Sequence, residues 1–219
     1  LTLYCAYKAL IKNSVKLFLL CGFLFGITMQ LHYLALFLGV IIFIYILLYH
    51  FTYSKNNFLK RSFKNYLWIF LGFLVGWSLF LAFEIRHGFL NIINIFNFIF
   101  NPRDVHGSGR FFETINDVFF RLFGRLVTNF PVPDKISSWT KINIDLWYYA
   151  VLILGIVSIG FLLFKCFKEY KLRSQDFAKL SLMLVWFIFG VGLFGFYKKS
   201  IYDYYFGFMF PLPFLIVGF

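Results

Sequence analysis

Charged residues are scarce in this sequence, and acidic ones most of all. Asp, Glu, Lys and Arg make up 14% of the 219 residues, whereas 61% are hydrophobic and 25% are aromatic. A soluble domain of this size would leave too much apolar surface exposed, so the composition excludes that class and indicates a polytopic membrane protein. The net charge of +12 does not point to nucleic acid, because the basic residues form short clusters between apolar runs, as in the cytoplasmic loops of membrane proteins.

Cysteine motifs and a signal peptide are also missing. Cys5, Cys21 and Cys166 have neither CxxC nor Cys/His spacing, so neither a disulfide framework nor a zinc site is indicated. The chain starts at Leu1 without a Met and stops in the apolar run "FLIVGF", which is too short to cross a bilayer. These ends predict an internal piece of a longer protein.

Acidic residues are absent from the two basic clusters that flank the first long apolar run. Both flanks are therefore predicted to be cytoplasmic, and the run over about residues 17–51 is predicted to be a helical hairpin that crosses the bilayer twice. Its only polar interruption, "TMQLHY", places the turn on the outer side. The two clusters comprise Lys8, Lys12 and Lys16 before the run and Lys55, Lys60, Arg61 and Lys64 after it.

The same charge parity orders the rest of the chain as an all-α transmembrane bundle. Further spans are predicted over about residues 65–83, 146–164 and 180–196, with a truncated one over 206–219 and an extracytoplasmic segment over 84–145. In that segment, "RFFETINDVFFRLFGRLV" repeats apolar residues at steps of three and four, which predicts an amphipathic helix in the interface plane. Its predicted apolar face consists of Phe112, Ile115, Phe119, Leu122 and Leu126.

Two glycine pairs have the GxxxG spacing. Gly22 and Gly26 lie in the first apolar run, and Gly72 and Gly76 lie in the span that follows. Small residues at this spacing let helix backbones approach one another. The pairs therefore predict closely packed neighbouring helices.

Three polar groups are predicted to share the outer face. Ionisable residues at membrane depth are costly, so such clusters mark candidate binding sites. Structural roles are the alternative: a satisfied buried imidazole for His32, an ion pair between Glu84 and Arg86, headgroup anchors for Arg86 and the lysines, and an aromatic belt for the tyrosines. The groups are Gln30, His32 and Tyr33 at the hairpin turn, Glu84, Arg86 and His87 after the next span, and Lys198, Lys199, Tyr202, Asp203, Tyr204 and Tyr205 before the last.

Three stretches resemble one family of bacterial multi-spanning enzymes. "GITMQLHYLALFL", "FLAFEIRHGFLN" and "YDYYFGFMFPLPFLIVG" are similar to the family that includes the dolichyl-phosphate-mannose protein mannosyltransferases and the lipid A aminoarabinose transferase. The resemblance implies a C-type glycosyltransferase fold that transfers a sugar, at the outer face, from a polyprenyl-phosphate donor to a hydroxyl group on a glycan, lipid or protein. It also implies a catalytic carboxylate in the first extracytoplasmic loop, upstream of Leu1, so the catalytic residue is expected outside this sequence.

The candidate residues suit such a donor. Its phosphate needs cations, and Arg offers a planar fork while Lys offers a point charge, so Arg86, Lys198 and Lys199 are the candidate phosphate contacts. Tyr33, Tyr204 and Tyr205 could present ring faces and hydroxyls to a sugar. Glu84 could orient Arg86 or hold a divalent cation, although a single carboxylate is weak evidence for a metal.

Two other functions stay open at this stage. A surface-polysaccharide polymerase or ligase would share the outer-face chemistry. A transporter would place its site near the midplane between repeated halves, and the sequence shows no internal repeat. All three readings imply an integral protein of a bacterial-type cytoplasmic membrane.

Overall fold

The computed structural model describes residues 1–100, 111–127, 141–197 and 201–219, and among these it is all-helical with no strand. The chain divides into two compact units, unit 1 (Leu1–His106) and unit 2 (Gly107–Phe219). The predicted all-α class is confirmed for the described residues.

The described residues of unit 1 form two short and three longer helices. The chain turns between the first two at Asn13, which has left-handed backbone angles, and it breaks after the second at His32. Short 3-10 turns, Tyr33–Ala35 and Lys55–Asn57, precede the third and fourth helices. The helices are α1 (Thr2–Lys12), α2 (Val15–Leu31), α3 (Leu36–Tyr53), α4 (Phe58–Arg86) and α5 (Leu90–Phe100).

Helices α2 and α4 run parallel with their backbones in contact. A Cβ added at Gly22 would overlap the carbonyl of Ile69, and one added at Gly26 would lie 2.7 Å from the carbonyl oxygen of Phe73. Along α4, Gly72 and Gly76 approach the carbonyls of α2 in the same way. The close packing predicted from the two GxxxG motifs is confirmed, and the two motifs are each other's partners.

Helix α3 runs antiparallel to both. The ring of Phe25 on α2 fills the space beside Gly39 on α3. The Tyr66 hydroxyl of α4 donates to the Phe43 carbonyl of α3 at 2.8 Å, and the side chain of Asn65 on α4 pairs with that of His50, later on α3, at 2.8 Å. The up, down and up order of α2, α3 and α4 is the one that charge parity requires.

The hairpin turn is tighter than the sequence suggested. Thr28 and Gln30 remain helical, and only His32 leaves the helix, with extended backbone angles. The hydroxyl of Thr28 donates to the Leu24 carbonyl at 2.7 Å, which satisfies it within α2. With 17 residues, α2 is about 25 Å long, slightly short of the roughly 30 Å hydrocarbon core.

Unit 2 combines two long helices with shorter ones. A π-helical turn, Arg121–Val127, continues α6, and 3-10 turns cover Leu193–Phe196 and Asp203–Met209. The helices are α6 (Phe111–Phe120), α7 (Lys141–Leu172), α8 (Asp176–Gly192) and α9 (Pro211–Val217).

Helix α6 packs near one end of the antiparallel pair α7 and α8. Phe111 lies against Gly195 and Phe196, and Phe119 lies against Gly155. Phe112, Ile115 and Phe119 of the predicted apolar face lie on one side of α6, where they line the same groove. Leu122 of that face is buried, as are Val118 and Phe123. From Arg121 onward the wider π-helical turns break the 3.6-residue period. The interfacial position of α6 stays a prediction.

Within the part of the chain that the structure describes, four helical segments are long and apolar enough to cross a membrane: Tyr33–Tyr53, Lys55–Arg86, Asn143–Leu172 and Asp176–Phe196. Val15–Leu31 is a shorter apolar helix. The helices extend beyond the predicted spans, and the final span corresponds to a 3-10 turn followed by α9. These lengths are compatible with a membrane protein, while the sides of the membrane stay predicted from charge.

Candidate functional site

The candidate residues at the hairpin turn form contacts with other residues of unit 1. The Gln30 side-chain amide donates to the Gly76 carbonyl across the α2–α4 contact. His32 Nδ1 accepts from the backbone N–H of Leu34 at 3.2 Å, and its ring stacks on that of Tyr33 at a centroid distance of 5.2 Å. These contacts stabilise the break between α2 and α3, and the Tyr33 ring lies beside that break.

Glu84 forms the corner between α4 and α5. Its carboxylate is fully buried and accepts from the Asn91 side-chain amide at 2.6 Å and from the Ile92 N–H at 3.1 Å. Since Ile92 lies in the first turn of α5, the Glu84 side chain caps the N-terminus of α5. Its own carbonyl accepts from the Phe89 N–H at 2.8 Å across a reversal at Gly88, which has a φ of +66°.

Arg86 and His87 lie beyond this corner and are exposed. The guanidinium of Arg86 does not pair with Glu84, and it has no hydrogen bond to another described residue. The His87 ring stacks on Phe83 at 4.0 Å, and its Nδ1 lies 2.8 Å from the Phe83 carbonyl oxygen. Of the proposed outer residues in unit 1, Arg86 and His87 are the exposed ones.

The hairpin residues and the residues at the end of α4 lie toward the same end of the bundle, but at different heights along the α4 axis. Gln30 bonds to Gly76, and Arg86 lies ten residues farther along α4. At the α-helical rise, this separates the two levels by about 15 Å along the axis. The Gln30 contact and the Arg86 backbone therefore lie at different levels along α4.

In unit 2, three tyrosines form an aromatic cluster. The rings of Tyr202 and Tyr204 are nearly parallel at 5.7 Å, and Tyr205 meets both edge-on, at 5.6 and 4.6 Å. Tyr202 and Tyr204 are 55% and 63% exposed. A hydrogen bond with Tyr205 raises the pKa of the Tyr204 hydroxyl, so it stays protonated at physiological pH.

Arg121 holds this segment in place from 80 residues away. Its Nη1 donates to the Ile201 carbonyl at 3.0 Å and to Asp203 Oδ1 at 2.9 Å, while its Nε donates to the Asp117 carboxylate at 3.0 Å. Burial alone would lower the pKa of this guanidinium, but hydrogen bonding and attraction to Asp117 and Asp203 raise it. The arginine therefore stays charged and clamps the chain that carries the tyrosines.

Asp203 also bridges to a second arginine. Arg125 Nη1 lies 3.5 Å from Asp203 Oδ2, so one carboxylate faces two guanidinium groups. Charge parity predicts that Asp203 lies near the candidate residues, but it does not connect Asp203 to Arg121 or Arg125. The i, i+4 spacing of Asp117, Arg121 and Arg125 was the only available signal. Lys198 and Lys199 lie outside the described residues.

An apolar groove borders the other side of α6. Its volume is about 410 Å³, and Ile115 and Phe119 of α6 face Phe187 and Val191 of α8 across it. Helical spacing puts Asp117 on a different face of α6 from these residues. The groove is therefore not part of the arginine cluster.

No group of three His, Cys, Asp or Glu side chains suited to a metal occurs among the described residues. A divalent cation at Glu84 stays an expectation. Its carboxylate is already bonded to Asn91 and Ile92.

Comparisons with known proteins identify no family for this chain. No family model, curated protein or solved structure matches it. The resemblance to membrane glycosyltransferases therefore stays a prediction from the sequence.

Proposed function

We propose that this chain belongs to a membrane glycosyltransferase that moves a sugar from a polyprenyl-phosphate donor to a hydroxyl acceptor at the outer face. The observation that carries the proposal is the tyrosine cluster of Tyr202, Tyr204 and Tyr205, held by the Arg121–Asp203 ion pair. Exposed ring faces beside arginines suit a ligand that joins a sugar to a phosphate, since rings pack against sugar C–H faces and guanidinium groups bind phosphate.

Long apolar helices support the same proposal. A polyprenyl carrier keeps its lipid in the bilayer and its phosphate at headgroup level, so its enzyme needs polar groups at helix ends. The tyrosine cluster follows the C-terminal end of the candidate span Asp176–Phe196, and Arg86 ends the candidate span Lys55–Arg86. By charge parity, both ends face outward. Arg86, Lys198 and Lys199 remain proposed phosphate contacts.

The test is sugar transfer by the full-length protein in membrane vesicles, with a radiolabelled polyprenyl-phosphate sugar as donor. Replacing both Tyr202 and Tyr204 by Ala should lower transfer by about tenfold, because each exposed ring contributes roughly 0.5 to 1 kcal/mol of stacking. Tyr4→Ala is the matched control, since Tyr4 is 58% exposed on α1 in the other unit. Equal activity of the double variant and the control, or no transfer by the unaltered protein, would overturn the proposal.

A further inference from the structure

Arg121 and Arg125 share one carboxylate but differ in how well their hydrogen bonds are satisfied. Both side chains are largely buried, with 22% and 26% exposed. Arg121 donates to Asp117, Ile201 and Asp203 at 3.0 Å or less. Arg125 has one contact to a described residue, at 3.5 Å, and its Nε is buried with no hydrogen-bond partner among those residues.

The difference matters because a guanidinium has five N–H donors and cannot lose its charge. A contact at 3.5 Å is at the outer limit of a hydrogen bond, and a buried donor without a partner is unfavourable. Because the Arg125 side chain is 26% exposed, an incoming oxyanion would add a hydrogen bond to its exposed part, whereas the buried Nε is out of reach. The same oxyanion at Arg121 would have to displace bonds that already exist.

The carboxylate that bridges Arg125 and Arg121 is open to solvent, since Asp203 is 58% exposed. The exposed rings of Tyr202 and Tyr204 belong to the same short segment. Two arginines four residues apart also repel each other unless negative charge lies between them, and Asp203 alone provides only a weak contact to the second.

We propose that Arg125 binds a phosphoryl oxygen of the ligand that occupies the tyrosine cluster. This inference rests on the proposed function, in which that ligand is a polyprenyl-phosphate sugar. The fork of Arg125 matches two phosphate oxygens, whereas Arg121 keeps its bonds to the protein. Arg125 thus adds a phosphate contact that the sequence pattern did not single out.

The test measures equilibrium binding to the full chain in nanodiscs of zwitterionic lipid. The probes are polyprenyl phosphate, neutral polyprenol and inorganic phosphate. Arg125→Ala should weaken polyprenyl phosphate by roughly tenfold to a hundredfold and leave polyprenol unchanged. Arg125→Lys keeps the charge but loses the fork, so it should recover part of the loss and remain readable if the alanine variant folds poorly. Lys179→Ala is the control, because it removes an exposed ion pair with Asp176 elsewhere in unit 2.

The outcomes separate the two proposals. Competition by inorganic phosphate in the unaltered protein, lost in Arg125→Ala, would show that the site recognises free phosphate. Retention of the polyprenyl-phosphate preference without such competition would show that it requires the lipid-linked form. If both Arg125 variants bind polyprenyl phosphate as tightly as the unaltered chain, the inference fails while the proposed function stands. If the unaltered chain does not prefer polyprenyl phosphate over polyprenol, both fail.

Discussion

The glycines at the α2–α4 contact of unit 1 face helix backbone, whereas several glycines of unit 2 face side chains. In unit 1, a Cβ at Gly22 or Gly72 would overlap the backbone of the facing helix. In unit 2, the neighbours are side chains instead: Phe119 beside Gly155, Met209 beside Gly190 and Phe111 beside Gly195. A side chain can rotate away from an added methyl group, whereas a helix backbone can move only with the whole helix. The glycines at the α2–α4 contact should therefore tolerate far less change than these three glycines of unit 2.

The largest expected effect is at the α2–α4 contact. Gly72→Ala should lower the free energy of unfolding by about 3 kcal/mol, because the added methyl group has to separate two backbones. Gly190→Ala should cost less than about 1 kcal/mol, since the facing atoms are the flexible end of Met209. Thermal unfolding of the chain in detergent measures both.

Gly160→Ala is the control for helix propensity. Nothing lies within 4 Å of a Cβ at Gly160 on α7, so alanine should be neutral or stabilise by up to about 1 kcal/mol. Equal losses at Gly72 and Gly190 would contradict the comparison between the units.

Two carboxylates extend the comparison to polar groups. Glu84 is fully buried and caps α5, so Glu84→Ala should cost about 1 to 3 kcal/mol by leaving the Ile92 N–H without its acceptor. Hydrogen exchange should show faster exchange in the first turn of α5 in particular. Unchanged protection of Ile92 in the variant would rule out the capping role.

The smallest expected effect on stability is at Asp203. Its side chain is 58% exposed, and exposed ion pairs contribute about 1 kcal/mol or less, so Asp203→Ala should barely change the melting temperature. It should nevertheless loosen the tyrosine segment, because Arg121 would then keep its bond to the Ile201 carbonyl but lose the ion pair with Asp203. Limited proteolysis near Tyr204 should therefore accelerate, and an unchanged cleavage rate would argue against the clamp.

Sequence patterns predicted local features better than contacts between residues that are far apart in the sequence. The helix break lies at His32, where the only polar stretch interrupts the apolar run, and both GxxxG motifs lie in contacts. Hydropathy and glycine spacing predict these features because each pattern involves only a few neighbouring residues. The bond from Arg121 to Asp203 spans 82 residues, and no spacing rule connects such positions. The capping role of Glu84 was missed for a related reason, since it depends on a reversal at Gly88 and Phe89 that composition does not reveal.

The central claim is that the ends of unit 1 and unit 2 that carry the candidate residues face the outside of the membrane. Single cysteines at His87 and Tyr204, and at Asn57 and Gln175 near the opposite ends, test it in a background with the three buried native cysteines replaced. All four positions are exposed in the structure. We expect a membrane-impermeant thiol reagent added to intact cells to label the cysteines at 87 and 204 and to spare those at 57 and 175. Labelling of the cysteines at 57 and 175 in place of those at 87 and 204 would contradict the account. Labelling of only one of the cysteines at 87 and 204 would also contradict it.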